Sequence, residues 1–263
     1  MINHNLVISV VGDYSTHKEW IRGNPEFDLA LIYYGNDKEK FSNYTRDAFL
    51  CIKQKGEKYP LVKSFINHHY ELVSKYEYIW LPDDDISIST DKLNHIFKIA
   101  KDYDLHICQP SVVSSNGKVS HEITRSRKGL KLRFTNFVEV MMPLFHVKSL
   151  LFLYDDFDLS VSGWGLDASW SHRLNDPKDK IAVIDEISAV HTKPVGSDYS
   201  RFKISPEDEL KTILKKYDLR FTRKNYASIV LNDRFLHKFL HAGNVCKVKW
   251  RKKFSNHSQI KEL

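Results

Sequence analysis

Apolar runs of strand length alternate with helix-forming segments over the first 110 residues. The strand-like runs are 6–11, 27–34, 78–81 and 105–109. We predict that Pro110 ends the last run, because proline lacks the N–H group that a central strand donates to its neighbour. Apolar residues recur at helical spacing from Leu61 to Tyr76, and Asp91 is a candidate cap for a second helix. This alternation predicts an α/β fold with a mainly parallel central sheet flanked by helices.

The pattern beyond residue 110 is less regular. A short strand is predicted at 119–124, and further extended stretches are predicted at 181–185 and 189–191. Ser205-Pro206 followed by three acidic residues predicts the start of a helix, because proline suits the first helical position and acids suit the helix N-terminus. A further helix is predicted around 236–240.

The distribution of charge separates the C-terminal segment from the rest of the chain. The net charge is +7, from 40 Lys and Arg against 33 Asp and Glu, and residues 201–263 hold 16 of the basic residues against 6 acidic ones. We therefore predict a helical, basic C-terminal extension. The predicted divisions are a catalytic domain at 1–203, made of a nucleotide-binding half at 1–110 and an acceptor half at 111–203, and the extension at 204–263.

Neither a membrane span nor a disulfide framework is indicated. No run approaches the ~20 consecutive apolar residues of a membrane span, and the first five residues lack the basic and apolar regions of a leader. We expect a cytoplasmic protein. Cys51, Cys108 and Cys246 form no CxxC pair, which favours reduced thiols. The basic stretch 245–254 is either a solvated tail or a peripheral contact with the anionic inner face of the membrane.

Three adjacent carboxylates, Asp83, Asp84 and Asp85, follow the apolar run that ends at Pro82. Ligands of open α/β sheets collect outside the carboxyl ends of the strands. Adjacent acids repel one another unless they are solvated or share a cation, and Asp83 and Asp85 can point to one side. The triplet is therefore either a divalent-cation site or a solvated turn that caps the next segment.

Two earlier strands also end in turn residues with carboxylates. The first is closed by Gly12-Asp13, and the second ends at Tyr34 before Gly35-Asn36-Asp37. Glycine lets the backbone approach a ligand, and a carboxylate can accept hydrogen bonds from a ribose or a base. Such turns also arise for conformational reasons alone.

A second candidate group is Ser162-Gly163-Trp164-Gly165-Leu166-Asp167, at the start of a predicted helix. Trp164 offers a flat apolar face on which a sugar ring can pack. Asp167 is placed to accept a proton from an attacking hydroxyl. The structural alternative is that Asp167 caps the helix and Trp164 belongs to the core.

These motifs resemble those of nucleotide-sugar glycosyltransferases of the GT-A type. The run from Tyr78 to Asp85 is similar to the corresponding run of the DUF707 family of glycosyltransferases, and Gly163 to Asp167 resembles the Trp-Gly-x-acid element of inverting GT-A enzymes. The resemblance implies a GT-A fold, Asp167 as catalytic base, and Mn or Mg held by Asp83, Asp85 and His191. Donor-binding residues are expected at the turns, the triplet, the Trp-Gly loop and the loop after His191. They are Asp13, Tyr34, Asp37, Asp84, Trp164, Gly165 and Lys193.

We therefore expect a metal-dependent, inverting glycosyltransferase that uses a nucleotide-sugar donor and a glycan or glycolipid acceptor in surface polysaccharide synthesis. A non-catalytic carbohydrate-binding or scaffold protein of the same fold is one alternative. A metal-dependent nucleic-acid enzyme is another, but the basic residues concentrate at the end of the chain and not around the acids. We expect no nucleic-acid partner.

Overall fold

The computed structural model describes residues 3–113, 118–193 and 203–231. Ten strands are formed within these ranges. They are β1 (Asn5–Val11), β2 (Asp28–Tyr33), β3 (Leu50–Lys53), β4 (Tyr78–Trp80), β5 (Ile86–Ser87), β6 (Ile107–Val113), β7 (Leu130–Thr135), β8 (Leu144–His146), β9 (Ile181–His191) and β10 (Asn225–Val230).

Eight α-helices and two 3₁₀ segments are described between these strands. The helices are α1 (His17–Trp20), α2 (Lys38–Asp47), α3 (Lys58–His68), α4 (Tyr70–Val73), α5 (Thr90–Asp102), α6 (Val147–Leu153), α7 (Leu166–Arg173) and α8 (Pro206–Lys216). The 3₁₀ segments are Glu122–Thr124 and Tyr154–Leu159. Of the helices described, none is long and apolar enough to cross a membrane.

The strands form one sheet in the order β10-β7-β9-β6-β8-β4-β1-β2-β3, and β5 pairs with β9 beside this path. Strands β3, β2, β1 and β4 run parallel to one another. Strand β8 lies antiparallel between β4 and β6, and β6 runs parallel to β9. The carboxyl ends of β1, β2 and β4 therefore meet at one edge of the sheet.

Side chains of β1 alternate between two cores, as the two-residue period of a strand requires. Val7 and Val11 enter the core that contains Ile96 and Phe97 of α5. Leu6, Ile8 and Val10 enter the core that contains Val62, Phe65 and Ile66 of α3. Helices therefore cover both faces of the sheet, which confirms the predicted α/β architecture.

Several predicted boundaries differ from the structure. Strand β6 continues through Pro110 to Val113, and its register against β9 shifts between Pro110 and Ser111. The missing N–H of Pro110 thus causes a register shift in the pairing of β6 with β9 but does not end the strand. The helix predicted from Leu61 to Tyr76 is two helices, α3 and α4, which meet at His69.

Two further boundary predictions were wrong. Helix α5 begins after Ser89, so Asp91 lies inside the first turn and not at the cap. Residues 122–124 of the predicted 119–124 strand form a 3₁₀ turn.

The C-terminal segment contributes to the described fold. Helix α8 begins where predicted, and the Ser205 side chain accepts a hydrogen bond from the Asp208 N–H. Strand β10 was not predicted, and it pairs antiparallel with β7 at the end of the sheet. Its residues are exposed or half-buried, so it lacks the apolar run that marks an inner strand. The helix predicted near 236–240 and the basic stretch 245–254 lie outside the described residues.

A buried ion pair fixes the loop before β7. Arg133 donates to both carboxylate oxygens of Asp185, at 2.6 and 3.1 Å, and both side chains are almost fully buried. The same guanidinium donates to the backbone carbonyls of Ile123 and Arg125, and Asp185 accepts from the Arg127 N–H. Each buried charge is thereby paired and hydrogen-bonded.

We expect Arg133→Met to lower the free energy of unfolding by about 3–5 kcal/mol, because it leaves Asp185 buried without its partner. Lys98→Met is the control, since it removes only the exposed ion pair with Asp102 and costs about 0.5 kcal/mol or less. Urea unfolding measures both. Equal losses in the two variants would contradict the structural role of the Arg133 pair.

Candidate active site

The acidic triplet lies between three other segments of the chain. The Asp83 N–H donates to the Met141 carbonyl at 2.8 Å, and the Thr16 N–H donates to the Asp84 carbonyl at 2.8 Å. The Thr192 N–H donates to the Asp85 carbonyl at 3.0 Å. Asp84 and Asp85 are buried, and the Asp83 side chain is 38% exposed. The triplet is thus part of the folded edge of the sheet and not a solvated turn.

Each carboxylate of the triplet has a basic partner from elsewhere in the chain. The partner pairs are Lys58 Nζ with Asp83 Oδ1 at 2.7 Å, Lys193 Nζ with Asp84 Oδ1 at 2.9 Å, and His191 Nε2 with Asp85 Oδ2 at 3.1 Å. Burial alone would raise the pKa of Asp85, but the His191 hydrogen bond and the Lys193 charge outweigh it and lower that pKa. The hydrogen bond with Asp85 likewise raises the pKa of His191.

Asp84 joins the ends of β1 and β2 to the triplet. Its Oδ2 accepts from the Gly12 N–H at 2.9 Å and from the Tyr34 hydroxyl at 3.2 Å. Two cavities, of about 310 and 270 Å³, open beside it. Both are lined by Asp13, Tyr14, Asp84 and Lys193. The structure therefore brings together the predicted residues Asp13, Tyr34, Asp84 and Lys193.

The carboxylates of Asp13 and Asp37 are engaged in shaping this edge. Asp13 accepts from the backbone N–H groups of Asn36 and Asp37, both at 3.1 Å, and from the Tyr33 hydroxyl. Asp37 caps α2 by accepting from two N–H groups of its first turn. Asp13 still lines both cavities, whereas Asp37 lines neither. Contact of either carboxylate with a ribose stays a prediction.

Asp167 lies just inside the start of α7 and is 6% exposed. Burial raises the pKa of this carboxyl to about 7, although Arg223 and the backbone N–H groups of Val140 and Ala168 oppose that shift. The structure therefore gives Asp167 the pKa of a group that can exchange a proton near neutral pH.

Residues 140–141 connect Asp167 to the acidic triplet. The Val140 N–H faces the Asp167 carboxylate, and the Met141 carbonyl accepts from the Asp83 N–H. Lys58 Nζ donates to both carbonyls of this pair, at 2.8 and 3.0 Å. Tyr59 donates to the Val140 carbonyl at 2.7 Å and interacts electrostatically with Asp83 and Asp167. The two predicted motifs thus belong to one site.

Trp164 and Gly165 lie on the loop that leads into α7. Trp164 is half-buried, and its N–H donates to the Ser162 hydroxyl at 3.2 Å. Gly165 has φ +89°, and a Cβ there would lie 2.9 Å from the Leu210 Cα of α8. The glycine is therefore required for backbone conformation and for close packing on α8. Neither residue lines the two cavities beside Asp84, and donor contact stays a prediction for both.

Buried Glu209 holds this loop from α8. It accepts from the Val161 N–H at 2.8 Å, from the Ser162 N–H at 3.0 Å, and from the hydroxyls of Ser160 and Ser162. Sequence reasoning assigned Glu209 only to a helix start. Its partners lie 47 to 49 residues earlier in the chain, so no local signal identifies it.

Lys58 and Glu139 are two further site residues that the sequence analysis did not single out. Glu139 is 2% exposed and accepts from the Thr124 hydroxyl, and burial raises its pKa to about 7. The one available signal was an acidic residue inside the apolar run from Phe137 to Met142. Lys58 carried no such signal, because it lies among several other lysines.

The donor atoms of the triplet suit a divalent cation. Asp85 Oδ1 and His191 Nδ1 are buried and have no hydrogen-bond partner among the described residues. Within those residues, however, no three His, Cys, Asp or Glu side chains converge as a complete metal site. Mg²⁺ in phosphate-transfer sites is commonly held by one or two carboxylates together with substrate phosphates. The residues present fit that kind of partial protein site.

Comparisons with known proteins agree with the resemblance seen in the sequence. The family described as "Protein of unknown function (DUF707)" matches residues 18–136. The DUF707 resemblance is confirmed. This match includes the acidic triplet, and it ends before Glu139, Asp167 and His191. No curated protein sequence matches the chain.

Solved structures share the fold. Chains similar to this one include S. aureus TarS in complex with UDP-GlcNAc, with a TM-score of 0.54 and 13% identity over 82% of this chain and 65% of that one. GalNAc-T7 with UDP, GalNAc and Mn²⁺ gives a TM-score of 0.58 and 11% identity over 82% of this chain and 50% of that one. This is the GT-A fold of nucleotide-sugar glycosyltransferases. The chain spans less than two thirds of the length of either GT-A relative.

We expect Glu209→Gln to loosen the loop before Asp167, because the new amide group is a donor placed opposite N–H and O–H donors. The free energy of unfolding should fall by about 3 kcal/mol, and hydrogen exchange at the Val161 and Ser162 amides should accelerate. Glu207→Gln, at an exposed position of the same helix, is the matched control. Unchanged exchange in Glu209→Gln would show that the loop does not depend on this carboxylate.

Proposed function

We propose that this protein is a glycosyltransferase that moves a sugar from a nucleotide-diphosphate donor to a hydroxyl of a glycan or glycolipid acceptor, in the synthesis of a surface polysaccharide. One observation carries the proposal. At one edge of a GT-A sheet, a carboxylate triplet with cationic partners is joined through residues 140–141 to the buried carboxyl of Asp167. Sugar transfer from a diphosphate requires a site that can stabilise the charge of the diphosphate and a group that can accept a proton.

The cavities beside Asp84 are the proposed donor site. Lys193 lines both and Lys55 lines one, so positive charge is available for the diphosphate. Tyr14 also lines both cavities and is 81% exposed, and its ring offers a face on which a nucleobase can stack. Asp84 lies between these groups and the backbone of Gly12, where it can accept a hydrogen bond from a donor hydroxyl.

Mn or Mg is proposed to be held by Asp85 and Asp83, with His191 beside them. When bound, the cation would neutralise charge on the departing diphosphate. Asp85 Oδ1, buried and without a partner among the described residues, supports this assignment. His191 fixes the other oxygen of Asp85 and so orients the carboxylate. Lys58 holds Asp83 beside Met141 in the same way.

Asp167 is proposed as the base that accepts the proton of the attacking acceptor hydroxyl. A group with a pKa of about 7 is partly ionised at neutral pH, so it can take the proton at that pH. Direct attack by the acceptor on the anomeric carbon, with the diphosphate leaving on the opposite side, inverts the configuration of the sugar. The Val140 and Ala168 N–H groups and the start of α7 keep the carboxylate in place.

We expect Asp167→Asn to lower the rate of sugar transfer by about 10²- to 10⁴-fold, since an amide cannot accept the proton. Binding of the nucleotide sugar should stay within about twofold of wild type, because Asp167 lines neither donor cavity. Transfer assays and calorimetry measure the two quantities. Asp155→Asn, at an exposed position, is the control. A non-catalytic binder would show no turnover in wild type, and full activity in Asp167→Asn would exclude this residue as the base.

We expect at least one nucleoside diphosphate from a panel of UDP, GDP and ADP to raise the melting temperature by about 5 °C at about 100 times its Kd, and only in the presence of Mn or Mg. Asp85→Asn should abolish the metal-dependent part of that rise, because it removes a charged oxygen ligand. Asp102→Asn, at an exposed position of α5, should not. A rise of equal size with and without the metal would contradict the proposed cation site.

A further inference from the structure

The segment just before β10 is fixed against the end of β7 by Asn136. Its N–H donates to the Lys224 carbonyl at 3.1 Å, and its Oδ1 accepts from the Lys224 N–H at 2.6 Å. Its Nδ2 donates to the Thr222 carbonyl at 2.7 Å. The backbone is therefore held on both sides of Arg223. This side chain has a defined position although it belongs to the C-terminal segment.

Arg223 lies on two aromatic rings. Its guanidinium carbon is 4.2 Å from the centroid of Phe221 and 5.0 Å from the centroid of Phe137. Among the described residues it forms no ion pair within 4 Å, and its Nε is buried without a hydrogen-bond partner. A buried, unsatisfied donor is costly, and native structures rarely contain one without a reason. Because Nε is buried, a ligand would meet the terminal N–H groups of the guanidinium, which stacks on the rings without an ion pair among the described residues.

The surroundings of Arg223 are those of the proposed acceptor side. Asp167 and Glu139 are the acidic groups that interact electrostatically with the guanidinium. Burial raises the pKa of each of them to about 7, so each is only partly ionised at neutral pH. His121 packs edge-on against Phe137 at 4.8 Å, and burial lowers its pKa to about 3, so it is neutral.

Ion pairing with Asp167 is a simpler role for Arg223, and the geometry speaks against it. An arginine that serves a carboxylate normally makes two parallel N–H to oxygen bonds at about 2.8 Å. No such bond joins Arg223 to Asp167 or Glu139 within the described ranges, and the Asp167 carboxylate is held by backbone N–H groups instead. The planar donor fork is therefore free for an external oxyanion.

We propose that Arg223, seated on Phe137 and Phe221, binds a carboxylate or phosphate group of the acceptor and so selects an acidic sugar for attack beside Asp167. This inference rests on the proposed glycosyltransferase function and names the acceptor class. The aromatic rings provide apolar surface for the sugar ring, and the guanidinium recognises the anionic substituent.

The test is an NMR titration of the 263-residue chain with three probes: methyl glucuronide, glucose 6-phosphate and methyl glucoside. We expect the Arg223 Nε–H resonance to shift with the two anionic probes, and their affinity to exceed that of the neutral glucoside by about tenfold or more. A response to the glucuronide alone would assign a carboxylate acceptor, and a response to the phosphate alone a phosphorylated one. Equal affinity for all three probes would overturn the proposal.

Variants of Arg223 distinguish recognition of an anion from a purely structural role of this side chain. Arg223→Met keeps a long apolar side chain on the rings but removes the charge, and we expect it to lose the preference for anionic probes, measured from the Phe221 and Lys224 amide shifts. Arg223→Lys should bind them with intermediate affinity, because it keeps the charge without the fork. Arg220→Met, an exposed position of the same segment, should match wild type. Anion binding by Arg223→Met equal to that of wild type would refute the assignment.

The two proposals fail in different ways. The titration requires no sugar transfer, so anion binding through Arg223 without turnover of any nucleotide sugar would refute only the transferase function. Transfer to an anionic acceptor that is unaffected by Arg223→Met would refute only the acceptor assignment. Melting temperatures of Arg223→Met and Arg223→Lys show whether each variant is folded. If only one of them is folded, the anion binding of that variant tests the assignment.

Discussion

The arrangement of this site depends on neutralising three adjacent carboxylates at the end of a buried strand. Two unit charges about 4 Å apart repel by about 4 kcal/mol near a protein surface, so the triplet cannot be held there without positive charge. Lys58, His191 and Lys193 supply it from the first turn of α3, the end of β9 and the loop beyond. The requirement brings segments more than a hundred residues apart onto one edge of the sheet.

Two further parts of the chain meet at the same edge of the sheet. Val140 and Met141 pass between the triplet and Asp167, and Lys58 and Tyr59 hold them in place. Beyond Asp167, the C-terminal segment completes the site through Glu209 of α8 and through Arg223 before β10. A segment that reads from its composition as a basic extension thus contacts the loop that carries the candidate base.

The elements that were predicted correctly are those with strong local patterns. Strand β4 before the triplet and helix α8 after Ser205 follow from apolar periodicity and capping chemistry. Errors arose where tertiary contacts override a local rule. Pro110 lies inside β6 because partners on β8 and β9 keep the strand extended on both sides of it. Strand β10 was missed because its half-exposed residues form a strand only by pairing with β7.

The sequence by itself determined the α/β class, the alternation of strands and helices over the first 110 residues, and the presence of acids at the ends of three strands. Burial patterns and turn chemistry are properties of short stretches of sequence, so these features can be predicted locally. The sequence also marked Asp167 at the start of a helix. Only the tertiary structure decided which charges meet. The partners of Asp83, Asp84 and Asp85, the loop contacts of Glu209, and the position of Arg223 over Phe137 join distant residues, and no local pattern encodes such pairings. Burial in the folded chain also sets the pKa of Asp167, because that pKa depends on the dielectric environment around the carboxyl group.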